Sequence, residues 1–117
     1  LATQYAPRNV LRTHLLMFVA LSRDGKTSSA QEHLQKALSV LEQGDRTDRA
    51  IAATLSGKPA MSPDQLVTAQ YERPATKALI LTALGLVDKP NREICFSLAR
   101  KLNSPGSLYY LLLRSVL

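Results

Sequence analysis

The stretch from Leu15 to Leu41, LLMFVALSRDGKTSSAQEHLQKALSVL, decides the fold. It opens with an unbroken apolar run, Leu15 to Leu21, which suits a helix buried on more than one side. Asp24-Gly25-Lys26 is a turn signal. Ser28 stands three residues before Gln31, and Ser29 three before Glu32, so both pairs read as capping boxes opening a second helix. Leu34, Ala37, Leu38 and Leu41 then follow at helical spacing, with Glu32, Gln35, Lys36, Ser39 and Glu42 outside the stripe. Pro7, a favoured first-turn residue, starts the first helix, and Gly44 stops the second. The reading is a long αα-hairpin over residues 7–44.

Working outward, the chain stays helical. Asp45 or Thr47 caps a short helix through Ile51, Ala52 and Leu55, which Gly57 ends. Pro59 and Pro63 break any helix running through residues 58–63, and Ser62-Pro63 reads as an N-cap followed by a first-turn proline. Residues 45–72 are therefore a short-helix insertion. A second long hairpin spans residues 74–103. Pro74 opens its first helix, Asp88-Lys89-Pro90-Asn91 is the turn, and Asn91 caps the next helix, with Ile94, Cys95, Leu98, Ala99 and Leu102 on one face. A terminal helix, capped by Ser107, covers residues 107–117. Alternating β-branched and aromatic runs, the mark of strands, are nearly absent. The expected fold is all-α, with antiparallel helical hairpins packed as a small bundle or short α-solenoid of about five to seven helices.

The two hairpins resemble each other. Ala20 and Ala83 are 63 residues apart, and Ala37 and Ala99 are 62 apart. Ala83-Leu84-Gly85 in one helix, Phe96 with Ala99 in the next, and Pro105 just beyond are similar to the small and aromatic positions of tetratricopeptide-like α-solenoid repeats, over residues 74–106. The resemblance implies stacked antiparallel helices. It assigns no binding residue.

Composition limits the function. The 117 residues, 45% hydrophobic and 21% charged, fit one helical domain spanning 1–117 and argue against wholesale disorder. The chain begins at Leu1, which reads as a processed product or a domain of a longer protein. No run of about 18 apolar residues is present to span a membrane. The single Cys excludes an intramolecular disulfide and favours a reducing, cytoplasmic setting. Fifteen Lys and Arg against nine Asp and Glu give a net charge of +6, which invites an anionic partner. Each half of the chain carries +3, and the longest basic cluster is Arg100-Lys101, so no basic tail is present.

Catalytic and cofactor motifs are missing. His14 and His33 have no metal-ligand spacing, and His14 on an apolar face reads as a hydrogen-bonded core or boundary residue. Cys95 reads as a small core hydrophobe. No phosphate-cradling glycine loop, nucleophile elbow or carboxylate pair stands out. The reading is no enzyme, no cofactor and no metal.

The candidate binding residues are cationic and aromatic. Arg8 and Arg12 lie one turn apart, and with Arg92, Arg100 and Lys101 they form a strip if the first and sixth helices are neighbours. Such a strip would suit an acidic peptide tail or phosphates. Tyr109, Tyr110 and Arg114 sit among Leu111–Leu113, a composition found at interface centres as well as in terminal packing. The expected role is a non-catalytic protein–protein interaction module, an adaptor, scaffold or chaperone-like domain presenting a helical groove to a peptide or partner protein. A basic nucleic-acid-binding accessory domain is the alternative. The apolar C-terminal helix also suits a homo-oligomer contact.

Overall fold

The structure, a computed structural model, describes residues 2–58 and 60–117, with side chains described from residue 8 onward. It is an all-α helical bundle, and no strand occurs among the described residues. The helices are α1 (Ala2–Arg23), α2 (Thr27–Glu42), α3 (Arg46–Leu55), α4 (Pro63–Thr68), α5 (Pro74–Val87), α6 (Arg92–Leu102) and α7 (Tyr110–Val116). A single 3-10 turn, Lys89–Asn91, links α5 to α6.

Helix α5 is the centre of the bundle. Every residue from Ala78 to Gly85 is buried, and no charge falls between Lys77 and Asp88. A helix apolar all round must be enclosed. Here α1, α3, α4, α6 and α7 all pack against it. The buried Thr82 is satisfied by donating its hydroxyl to the Ala78 carbonyl at 2.8 Å. At the C-terminal end of α5, Arg92 donates to the carbonyls of Gly85 and Leu86 at 2.8 and 3.2 Å. Those carbonyls have no partner within the helix, so a cation there is favourable.

Both long hairpins form, with shifted ends. Helix α1 begins at Ala2, before the Pro7 start expected from the sequence. Helix α2 begins at Thr27, with Lys26 as its N-cap and no side-chain cap, so the Ser28 and Ser29 capping boxes do not form. The reason is how α1 closes. Gly25 adopts φ +77°, and the Lys26 N–H donates back to Leu21 O at 2.9 Å. This left-handed stop delivers the chain straight into α2 and leaves no linker for a capping serine. Helix α7 starts at Tyr110, later than expected, while the Ser107 hydroxyl accepts from the Tyr109 N–H in the turn before it.

In the insertion, local chemistry is followed closely. Asp45 caps α3 in a reciprocal box with Asp48, and Ser62 caps α4 in a box with Gln65, with Pro63 in the first turn. In α6 the buried face is Cys95, Phe96 and Ala99, whereas Ile94 is exposed. The rotation comes from Gly85, whose missing side chain lets the Phe96 ring lie directly on the α5 backbone.

A methyl group at Gly85 would overlap Phe96 and meet the Cys95 Cβ at 3.3 Å. Alanine gains about 1 kcal/mol of helix propensity over glycine. Overpacking a tight core site costs about 1–3 kcal/mol. The second effect wins, so Gly85→Ala should lower the thermal midpoint, and Phe96→Leu added to it should restore part of the loss. A midpoint raised by Gly85→Ala alone would contradict this packing.

Candidate functional site

Helix α1, the start of α5 and the turn before α7 enclose an open groove of about 740 Å³. Asn9, Arg12, Thr13 and Leu16 form one wall; Arg73, Ala75 and Thr76 form the second; Gly106 to Tyr109 form the third. Two guanidinium groups therefore stand among the described lining residues, and no Asp or Glu is among them. The hydroxyl-bearing residues Thr13, Thr76, Ser107 and Tyr109 add hydrogen-bonding capacity, and Leu16, Ala75 and Leu108 add apolar surface. Leu108 stands 96% exposed at the rim.

The position of these groups depends on a polar cluster beside the groove. Arg8 donates from Nη1 to Asp48 Oδ1 at 2.8 Å, and from Nη2 to Glu72 Oε1 at 2.6 Å and Tyr71 Oη at 2.8 Å. Tyr71 Oη in turn donates to Asp48 Oδ1. Asp48 is buried, and its second oxygen accepts from the Asp45 N–H at 3.2 Å. Arg12 Nη1 lies 3.5 Å from Glu72 Oε1, and its Nη2 donates to Asn9 Oδ1 at 2.9 Å. Burial alone would lower the Arg8 pKa, but its hydrogen bonds to Asp48, Tyr71 and Glu72 outweigh that and raise it. Burial, reinforced by Asp48, pushes the Tyr71 phenol up, so it stays a donor. The cluster ties α1, α3 and the segment leading into α5 together, and so fixes Arg12 and Arg73 across the groove.

The residues expected to form a binding strip are divided among several places. Helices α1 and α6 pack on α5 rather than on each other, so the continuous strip of Arg8, Arg12, Arg92, Arg100 and Lys101 does not form. Arg12 and Tyr109 meet in the groove. Arg8 is spent on the Asp48 cluster, and Arg92 on the end of α5. Arg100, Tyr110 and Arg114 line a smaller hollow of about 290 Å³ with Asn103 and Leu117, where Arg100 donates to the Leu117 carbonyl at 2.8 Å. Lys101 is exposed on α6. In the terminal helix Leu113 is buried, but Leu111 is 75% exposed.

Of the remaining chemistry-bearing side chains, Cys95 is buried and the two histidines are half-buried. Burial and the charge of Asp88 push the Cys95 thiol up, which keeps it protonated and poorly nucleophilic. His14 and His33 face each other across α1 and α2, Nδ1 to Nδ1 at 2.9 Å. One ring donates to the other, so the neutral pair uses opposite tautomers. Among the described residues no group of three or more His, Cys, Asp or Glu could hold a metal ion.

Comparisons with family models, with curated proteins and with solved structures found no match to this chain.

The histidine pair has a pH consequence. Burial, then the neighbouring His33 and Lys36, hold the His14 pKa below its ordinary value of 6.5. The folded state therefore binds fewer protons than the unfolded state as pH falls below 6.5, and stability drops in that window. Carboxylates in unfolded chains titrate near pH 4, so the range from about pH 7 to 5 isolates the imidazole effect. The urea midpoint should fall over that range, and His14→Gln should flatten the fall. An unchanged slope in the variant would overturn the assignment.

Proposed function

We propose that the protein is a non-catalytic interaction module whose groove holds an acidic peptide segment of a partner protein. The observation that carries this reading is the presence of Arg12 and Arg73 in one groove whose described lining residues include no carboxylate, Glu72 meeting Arg12 only from beside it. Their charges complement an acidic chain, and the hydroxyl and apolar walls suit its backbone and side chains. A groove already formed in the unbound protein limits the ordering cost of binding. The paired hairpins α1–α2 and α5–α6 are in keeping with the tetratricopeptide-like resemblance, in which helical scaffolds present such grooves. The nucleic-acid alternative is less well supported. It needs the basic surplus to gather on one face, and Arg8 and Arg92 make internal contacts instead.

The test is titration of a fluorescent, Glu- and Asp-rich peptide of about ten residues into the wild-type chain and two variants. Arg73→Glu should weaken binding by about tenfold or more, since reversing a charge places like charges together. Lys101→Glu, outside the groove, should leave it nearly unchanged. Equal loss in both variants would mean that net charge, not the groove, drives binding. Capture of duplex DNA in preference to the peptide, with steep loss in salt, would favour the nucleic-acid reading.

A further inference from the structure

Resting on the peptide reading of the groove, we propose that its anchor is a phosphomonoester site at the first turn of α5, so that the partner segment is a phosphorylated one. Helix α5 has 14 residues, and its N-cap, Arg73, makes no side-chain capping bond. Pro74 has no N–H, and the Lys77 N–H already bonds to Arg73 O at 3.0 Å. Ala75 and Thr76 are thus the first-turn residues with backbone N–H groups left over, and both line the groove.

A second, independent feature points the same way. Thr76 is only 4% exposed, yet it lines the groove, and its hydroxyl makes no hydrogen bond to another described residue. The hydroxyl stays open to the groove, where an incoming oxyanion can accept its hydrogen bond. Arg12 and Arg73 stand on the two sides of this turn. The nearby Glu72 carboxylate is already neutralised, with Arg8 at 2.6 Å and Arg12 at 3.5 Å.

Charge and donor count select the ligand. The Arg73 guanidinium, the Arg12 guanidinium that Glu72 shares, and the positive end of a helix together favour an oxyanion of more than one charge. A phosphorylated side chain carries about −1.5 to −2 at neutral pH and three acceptor oxygens, enough for the N–H groups, the Thr76 hydroxyl and both arginines. Exposed Leu108 at the rim offers a seat for an apolar residue beside the phosphate.

The experiment compares three versions of one acidic peptide, carrying phosphoserine, glutamate or serine at its centre, titrated into the full chain at pH 7.5. The phosphoserine peptide should bind about tenfold or more tighter than the glutamate peptide, as expected when charge-assisted hydrogen bonds are added. Inorganic phosphate should compete with it. Thr76→Val and Arg73→Gln should erase the advantage, while Thr76→Ser, which keeps the hydroxyl, should retain it. Thermal unfolding of each variant verifies that it is folded. Equal affinity for the phosphoserine and glutamate peptides would overturn the phosphate site and leave the acidic-peptide reading standing. Failure of all three peptides to bind the wild-type chain would overturn both.

Discussion

The buried carboxylate of Asp48 is the interaction on which the arrangement of the bundle depends. Helices α1 and α2 can hold each other by an apolar seam, and α5 and α6 likewise. Neither seam specifies where the insertion between them lies. Asp48 does so. It closes the capping box of α3, and it receives Arg8 of α1 and Tyr71 of the segment that runs into α5. Glu72, next along, takes the other side of Arg8. One guanidinium therefore joins groups 40 and 64 residues distant in the chain. Breaking such a part-buried, charge-assisted cluster leaves the buried Asp48 carboxylate short of partners, which is why its loss costs more than a surface pair.

The apolar core and the candidate site follow from that placement. Helix α5 carries the densest apolar sequence in the molecule and is enclosed by five neighbours. Its middle is wholly buried, so only its ends can meet solvent. The C-terminal end is closed by Arg92. The N-terminal end has no side-chain cap and lies in the groove, where the Asp48 cluster has set α1 and Arg73 on either side. The same fold thus uses one helix terminus for structure and leaves the opposite one available for chemistry.

Features encoded by neighbouring residues were legible in the sequence. The caps at Asp45 and Ser62, the turn at Gly25 and the two hairpins each rest on spacings of a few residues. The missed N-terminus of α2 was a competition between two local signals, in which the glycine stop of α1 prevailed over the serine caps. The histidine pair carried a readable signal: His14 lies ten residues before Asp24 and His33 nine after it, so a hairpin folding there brings them together. The Arg8 cluster carried none, because a contact across 64 residues has no period or motif. Arg73 and Thr76 were equally silent. Their place in the groove comes from lying opposite α1, which only the tertiary packing decides.

Hydrogen exchange followed residue by residue, in the wild-type chain and in Asp48→Ala, tests the role of this cluster most directly. Exchange should quicken selectively in α3 and in residues 69–77, where the clamp acts, while the centres of α1, α2 and α6 keep their protection. Unchanged exchange throughout, or acceleration spread evenly over the chain, would contradict the claim that Asp48 sets the insertion and the groove.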